Sequence, residues 1–175
     1  ADTSHVAAFA PCVSASPSAA CYDEVATALA RVAWRRPVED DERERLVAIA
    51  NAAKAWGSGD FNTGLKYELM AIFQSPNFVY QVEIGVGEGA RRPLDPYGMA
   101  SRLSFFLVHR TPDVELLDAA EAGELSTDEG IRAQARRLLA TPEARRSVDG
   151  FFAELYLIRD IDTITKDTTL YPQWG

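Results

Sequence analysis

The chain has 175 residues, 47% hydrophobic and 25% charged, a balance that suits a soluble folded protein and excludes a disordered one. A net charge of −8 and a pI of about 4.8 disfavour sequence-independent nucleic-acid binding, which needs basic charge to displace counterions. No apolar run approaches the ~20 residues of a membrane span.

Residues 1–21 read as an N-terminal arm, rich in Ala, Ser and Pro and without periodicity. Cys12 and Cys21 flank a small-residue loop, Val-Ser-Ala-Ser-Pro-Ser-Ala-Ala, that lets two thiols meet. A disulfide is expected there, tethering the arm to the first helix and contributing about 2–3 kcal/mol by loop entropy. Two free thiols in a reducing cytosol are the alternative. The disulfide implies an oxidising compartment, the periplasm or the cell surface. The chain opens Ala-Asp-Thr without an initiator Met or signal peptide, so it reads as a processed product or a piece of something longer.

A first helix is predicted over 20–36, with Val25, Ala28, Leu29 and Val32 on one face and Pro37 ending it. A second is predicted over 40–56. Asp40, Asp41 and Glu42 suit the positive end of its dipole, and Leu46, Ile49, Ala50, Ala53 and Trp56 form an expected buried stripe that Gly57 closes. A third, over 60–74, places Phe61, Leu65, Leu69 and Ile72 at helical spacing until Ser75-Pro76 breaks it. Residues 78–84 alternate and favour extended backbone, as a connector or a lone strand. The Gly-rich stretch 85–92 is the expected linker between a first module, 22–84, and a second, 93–175.

In the second module, Asp95 caps a helix opening on Pro96, with Met99, Leu103 and Phe106 expected to face inward. Thr111-Pro112 marks the next start and Gly123 its end. Ser126-Thr-Asp-Glu129 has the form of a capping box. Thr141-Pro142 opens the last helix, with Val148, Phe151, Phe152 and Leu155 as its apolar stripe. The expected fold class is all-α, about seven helices in two small modules with little or no sheet.

Catalytic signatures are sparse. The chain has no Cys-x-x-Cys-His for covalent haem. His5 and His109 do not stand at metal-ligand spacing, and no metal site is expected. His109 reads as a helix C-terminal or surface group. Gly85-Val-Gly-Glu-Gly89 lacks phosphate-loop spacing and reads as linker. Asp160, Asp162 and Asp167 are oxygen-rich, but the glycine and terminal Glu of a hand-type calcium loop are missing, so a polar loop is the expectation. The Arg groups at 31–36 and 132–137 read as solvated or carboxylate-paired faces, and Tyr22, Trp34, Trp56, Tyr67, Phe73, Phe78 and Tyr80 as core packing. No catalytic residue is assigned.

Two ordered sets of motifs carry a resemblance. Residues 22–83 contain Ala-Arg-Val-Ala-Trp-Arg-Arg-Pro, an acidic helix start and Ser-Pro-Asn-Phe. Residues 93–174 contain Pro-Leu-Asp-Pro-Tyr, Ala-Ser-Arg-Leu-Ser-Phe-Phe-Leu, Pro-Asp-Val-Glu-Leu-Leu, Gln-Ala-Arg-Arg-Leu-Leu and Lys-Asp-Thr-Thr-Leu-Tyr-Pro. In that order they resemble two adjacent planctomycete-specific domains of unknown function, found in large exported proteins of planctomycetes and myxobacteria that often carry a cytochrome c-like segment. In those proteins the second module continues beyond its Tyr-Pro motif, and Val108-His109 stands where an aromatic is usual.

The resemblance implies a non-catalytic helical scaffold of an exported, cytochrome c-associated redox complex. No cofactor is expected in this chain itself; haem c would sit in an associated chain. The expected partners are other protein chains, including the remainder of the same precursor. Arg102, Phe105, Phe106, Phe151, Phe152 and Tyr156 are the candidate interface residues, with core packing left open as their other role. The alternative is a fragment of an extracytoplasmic enzyme, a haem-dependent oxidase or a hydrolase, whose active site lies in the missing part.

Overall fold

A computed structural model describes residues 4–83, 85–90, 92–158, 165–167 and 169–173. Among them the chain is all-α, with no strand. The seven long helices are α3 (Ala19–Trp34), α4 (Asp40–Trp56), α5 (Phe61–Gln74), α7 (Pro96–Val108), α8 (Val114–Glu121), α9 (Asp128–Leu139) and α10 (Pro142–Leu155). Single turns α1 (Ser4–Ala7) and α2 (Cys12–Ala15) lie in the arm, and α6 (Pro76–Val79) follows α5.

Two separate apolar cores organise these helices. The first joins α3, α4 and α5 through Tyr22, Val25, Leu29, Leu46, Leu65 and Ile72. The second joins α7, α8, α9 and α10 through Ala100, Leu116, Ala120, Leu125, Leu138 and Ala144. The arm is not loose: Ala10 and Val13 are buried in the first core. The Cys12–Cys21 disulfide holds them there, with Cα atoms 5.7 Å apart.

Tyr22 sets the spacing between α3 and α5. Its ring stacks on Phe61 at 4.9 Å between centroids, and its hydroxyl donates to the Phe61 carbonyl at 2.9 Å. Only glycine fits at 64, where a Cβ would collide with the Tyr22 hydroxyl and the Ala50 carbonyl. Farther along, Trp34 Nε1 donates to the Ile72 carbonyl at 3.1 Å.

Several sequence expectations are corrected. The first helix ends at Trp34, because Arg35 turns into the left-handed region at φ 62°. Trp56 is 72% exposed and Ile49 is also exposed, so the α4 stripe narrows to Leu46, Ala50 and Ala53. Trp56 instead packs edge-on against Tyr67 at 5.5 Å. Phe78 and Val79 belong to the α6 turn rather than to the extended segment. Asp113, not the Thr111-Pro112 pair, caps α8 by accepting from Leu116 N at 2.9 Å. The α9 start lies one residue later than the expected box: Thr127 is its N-cap and accepts from Gly130 N at 3.1 Å. The Asp95 and Thr141 caps stand where the sequence puts them.

Candidate interaction surface

The last long helix is built to show an apolar face. Thr141 Oγ1 accepts from Ala144 N at 3.3 Å, and Pro142 follows at the first helical position, where it needs no N–H partner. Ala144 and Ser147 are the buried residues of α10, and Ala144 belongs to the second core. Those small side chains bring α10 close to its neighbours and leave the larger apolar ones outside. Phe151 is 56% exposed, Phe152 44% and Tyr156 66%, with Val148 and Leu155 also exposed. The rings touch: Phe151 to Phe152 edge-on at 5.3 Å, and Phe152 stacked on Tyr156 at 5.9 Å. The expected stripe exists, but it is presented rather than buried. Covering one such aromatic would contribute about 1.5–3 kcal/mol.

The other candidate interface residues separate from this cluster. Phe106 is 78% exposed, which corrects its expected inward orientation. Met99 and Leu103 do pack on the second core. Phe105 is half-buried beneath the Arg35 guanidinium, whose carbon lies 5.9 Å from the ring centroid. Arg102 reaches Glu83 at 3.4 Å. Phe105 and Arg102 therefore each reach the first module, Phe105 half-buried and Arg102 still largely exposed.

The junction has further polar ties. Arg31 Nη2 donates to Asp118 Oδ1 at 2.7 Å and to Glu121 Oε2 at 2.9 Å, and Thr111 Oγ1 donates to the Val32 carbonyl at 3.1 Å. A cleft of about 230 Å³ between the modules is lined by Trp34, Arg36, Asn77, Tyr80 and Tyr97. A larger one of about 420 Å³ is lined by Val32, Ser104, Val108, Thr111 and Leu138. An apolar groove of about 640 Å³ runs along α5 beside Val6, with Leu65, Leu69, Met70 and Phe73 in its walls.

Of the calcium candidates, Asp167 accepts from Thr169 N at 2.7 Å, the Asx-type turn of a polar loop. Asp160 and Asp162 lie outside the described residues. His109 is the left-handed C-cap of α7 at φ 52° and is exposed.

Two residues were missed from sequence. Arg35 is buried and gathers four carbonyls, those of Ala33, Asn77, Phe78 and Tyr80, at 2.8–3.4 Å. Little local marks it, since three of its four partners lie more than forty residues away. Glu68 is fully buried, and neither carboxyl oxygen has a hydrogen-bond partner. Its signal was legible: 61, 65, 68 and 72 share one face of a helix, and a Glu occupies the third of those positions.

The fold defines an all-helical protein with two adjacent helical domains. Residues 21–83 match the family described as PSD5, protein of unknown function (DUF1595). Residues 94–175 match the family described as PSD4, protein of unknown function (DUF1592). The chain thus carries two neighbouring domains of the planctomycete-specific type, both of unknown function. No curated protein and no solved structure matches it.

Proposed function

We propose that this chain is a non-catalytic helical scaffold that docks another protein chain on the aromatic face of α10. The observation that carries the reading is the contiguous, exposed set Phe151, Phe152 and Tyr156 on a helix whose opposite side is anchored in the core. Aromatics clustered this way are the usual anchors of protein interfaces, because they bring large apolar area with little side-chain freedom to lose. The domain match runs across this helix, so the face belongs to the domain. The setting is an exported, cytochrome c-associated complex. The Cys12–Cys21 disulfide fits an oxidising compartment.

The test uses natively purified, unreduced material. A co-purifying chain with a Soret band supports a redox assembly; colourless material discards the cytochrome part. Introducing Phe151→Ser and Phe152→Ser should release the partner while leaving the melting temperature of the free chain within about a degree, as for exposed positions. Retention of the partner by that double variant overturns the assignment of the face.

A further inference from the structure

α5 closes on α3 and α4 with Gly64, Leu65, Glu68 and Ile72 as its buried residues. Three of these suit an apolar core; Glu68 does not. The core that α5 helps to close includes Val25, Ala26, Leu29, Ala30, Leu46 and Ala50, and neither Glu68 carboxyl oxygen has a hydrogen-bond partner. Along the chain it stands between the two ties that hold α5 to α3, the Tyr22 hydroxyl on the Phe61 carbonyl and the Trp34 indole on the Ile72 carbonyl. A carboxylate in such a place loses its hydration without compensation, whereas the neutral acid loses far less.

The ionisable surroundings do not rescue the charge. From α3, Asp23 adds negative potential, and the Tyr22 phenol is itself pushed up by burial and by Glu68. From α4, Arg43 is engaged by Asp23, and Glu42 is held by Arg36 and Asn77. α6 brings no titratable residue, and the arm meets this helix through Val6.

We propose that Glu68 is a proton latch: α5 docks on α3 and α4 with Glu68 as the neutral acid, and release of α5 is coupled to release of that proton to solvent. Burial, and then Asp23, raise the carboxyl from an ordinary 4.5 to about 9 in the closed module. Across that interval the opening equilibrium of α5 rises about tenfold per pH unit, because the open form gives up a proton that the closed form keeps. The Glu68 contribution to closure is therefore full below about pH 5 and is lost in mild alkali. Opening also carries away the α6 carbonyls that hold Arg35, which rests on Phe105 of the second module. The latch so links protonation to the junction.

The experiment is hydrogen–deuterium exchange on the full, disulfide-intact chain, corrected for intrinsic exchange, with Glu68→Gln and Glu68→Leu alongside. Opening of residues 61–74 should rise about tenfold per pH unit between about pH 5 and 9 in the unaltered chain and stay flat in Glu68→Gln. Equal slopes in the two overturn the proposal. If Glu68→Gln fails to fold, Glu68→Leu supplies the flat reference. Carboxyl-carbon NMR of the folded, unaltered chain decides independently: titration of Glu68 near the ordinary carboxylate range overturns the latch, and titration well above it supports it.

Discussion

Arg31 on α3 and Asp118 on α8 meet at 2.7 Å, and the same guanidinium nitrogen also reaches Glu121 at 2.9 Å. One first-module side chain thus engages two second-module carboxylates a helical turn apart. The carboxylates are largely exposed, so the gain is modest and salt-sensitive. Arg31→Ala should cost about 0.5–1 kcal/mol at low salt and less at 1 M salt. A double-mutant cycle with Asp118→Ala in urea denaturation measures the coupling; zero coupling would show the pair to be incidental.

Arg35 should matter more. Its left-handed backbone turn and its carbonyl contacts place a buried guanidinium at the end of α3. Arg35→Ala should lose about 3 kcal/mol, since carbonyls and backbone strain are left uncompensated. Arg35→Lys should recover little of this, because an ammonium cannot span carbonyls that a planar fork reaches together. Chemical denaturation of both variants checks the order; full rescue by Lys would contradict the role of the fork.

Reducing the Cys12–Cys21 bond frees the arm. Its Ala10 and Val13 then leave the first core more readily. The Cys12→Ser, Cys21→Ser double variant should be less stable by about 2–3 kcal/mol, with the loss appearing in the first module. Thermal melts with and without reductant read this directly, and unchanged melts would refute the tether.

Acid should act through other groups than Glu68. Hydrogen bonds from Arg36 hold the Glu42 carboxyl below its ordinary value, and Arg137 does the same for Asp113. For a depressed acid, the stabilising contribution is present above the unfolded value and is lost as pH falls through the folded one. Stability should therefore fall below about pH 4, and Glu42→Gln should flatten part of that fall at a cost on the order of 1 kcal/mol at neutral pH. Melting temperatures from pH 7 to 2 test it; identical acid limbs would exclude Glu42.

Local signals were readable from the sequence because they depend on neighbours a few residues away. Asp95-Pro96 and Thr141-Pro142 satisfy helix-start donors from within their own turns, and both helices begin there. The α-helical class, the seven long helices and the Cys12–Cys21 closure follow from the same short-range chemistry. What each apolar stripe faces does not. Leu46 and Phe152 both lie on regular stripes, yet one is buried against α3 and α5 and the other is exposed, because periodicity specifies a face and not its neighbour. Arg35 and Glu68 show the same limit. Only the tertiary structure brings distant carbonyls to the first and withholds every partner from the second, since hydrogen-bond satisfaction is set by chain segments far apart in sequence.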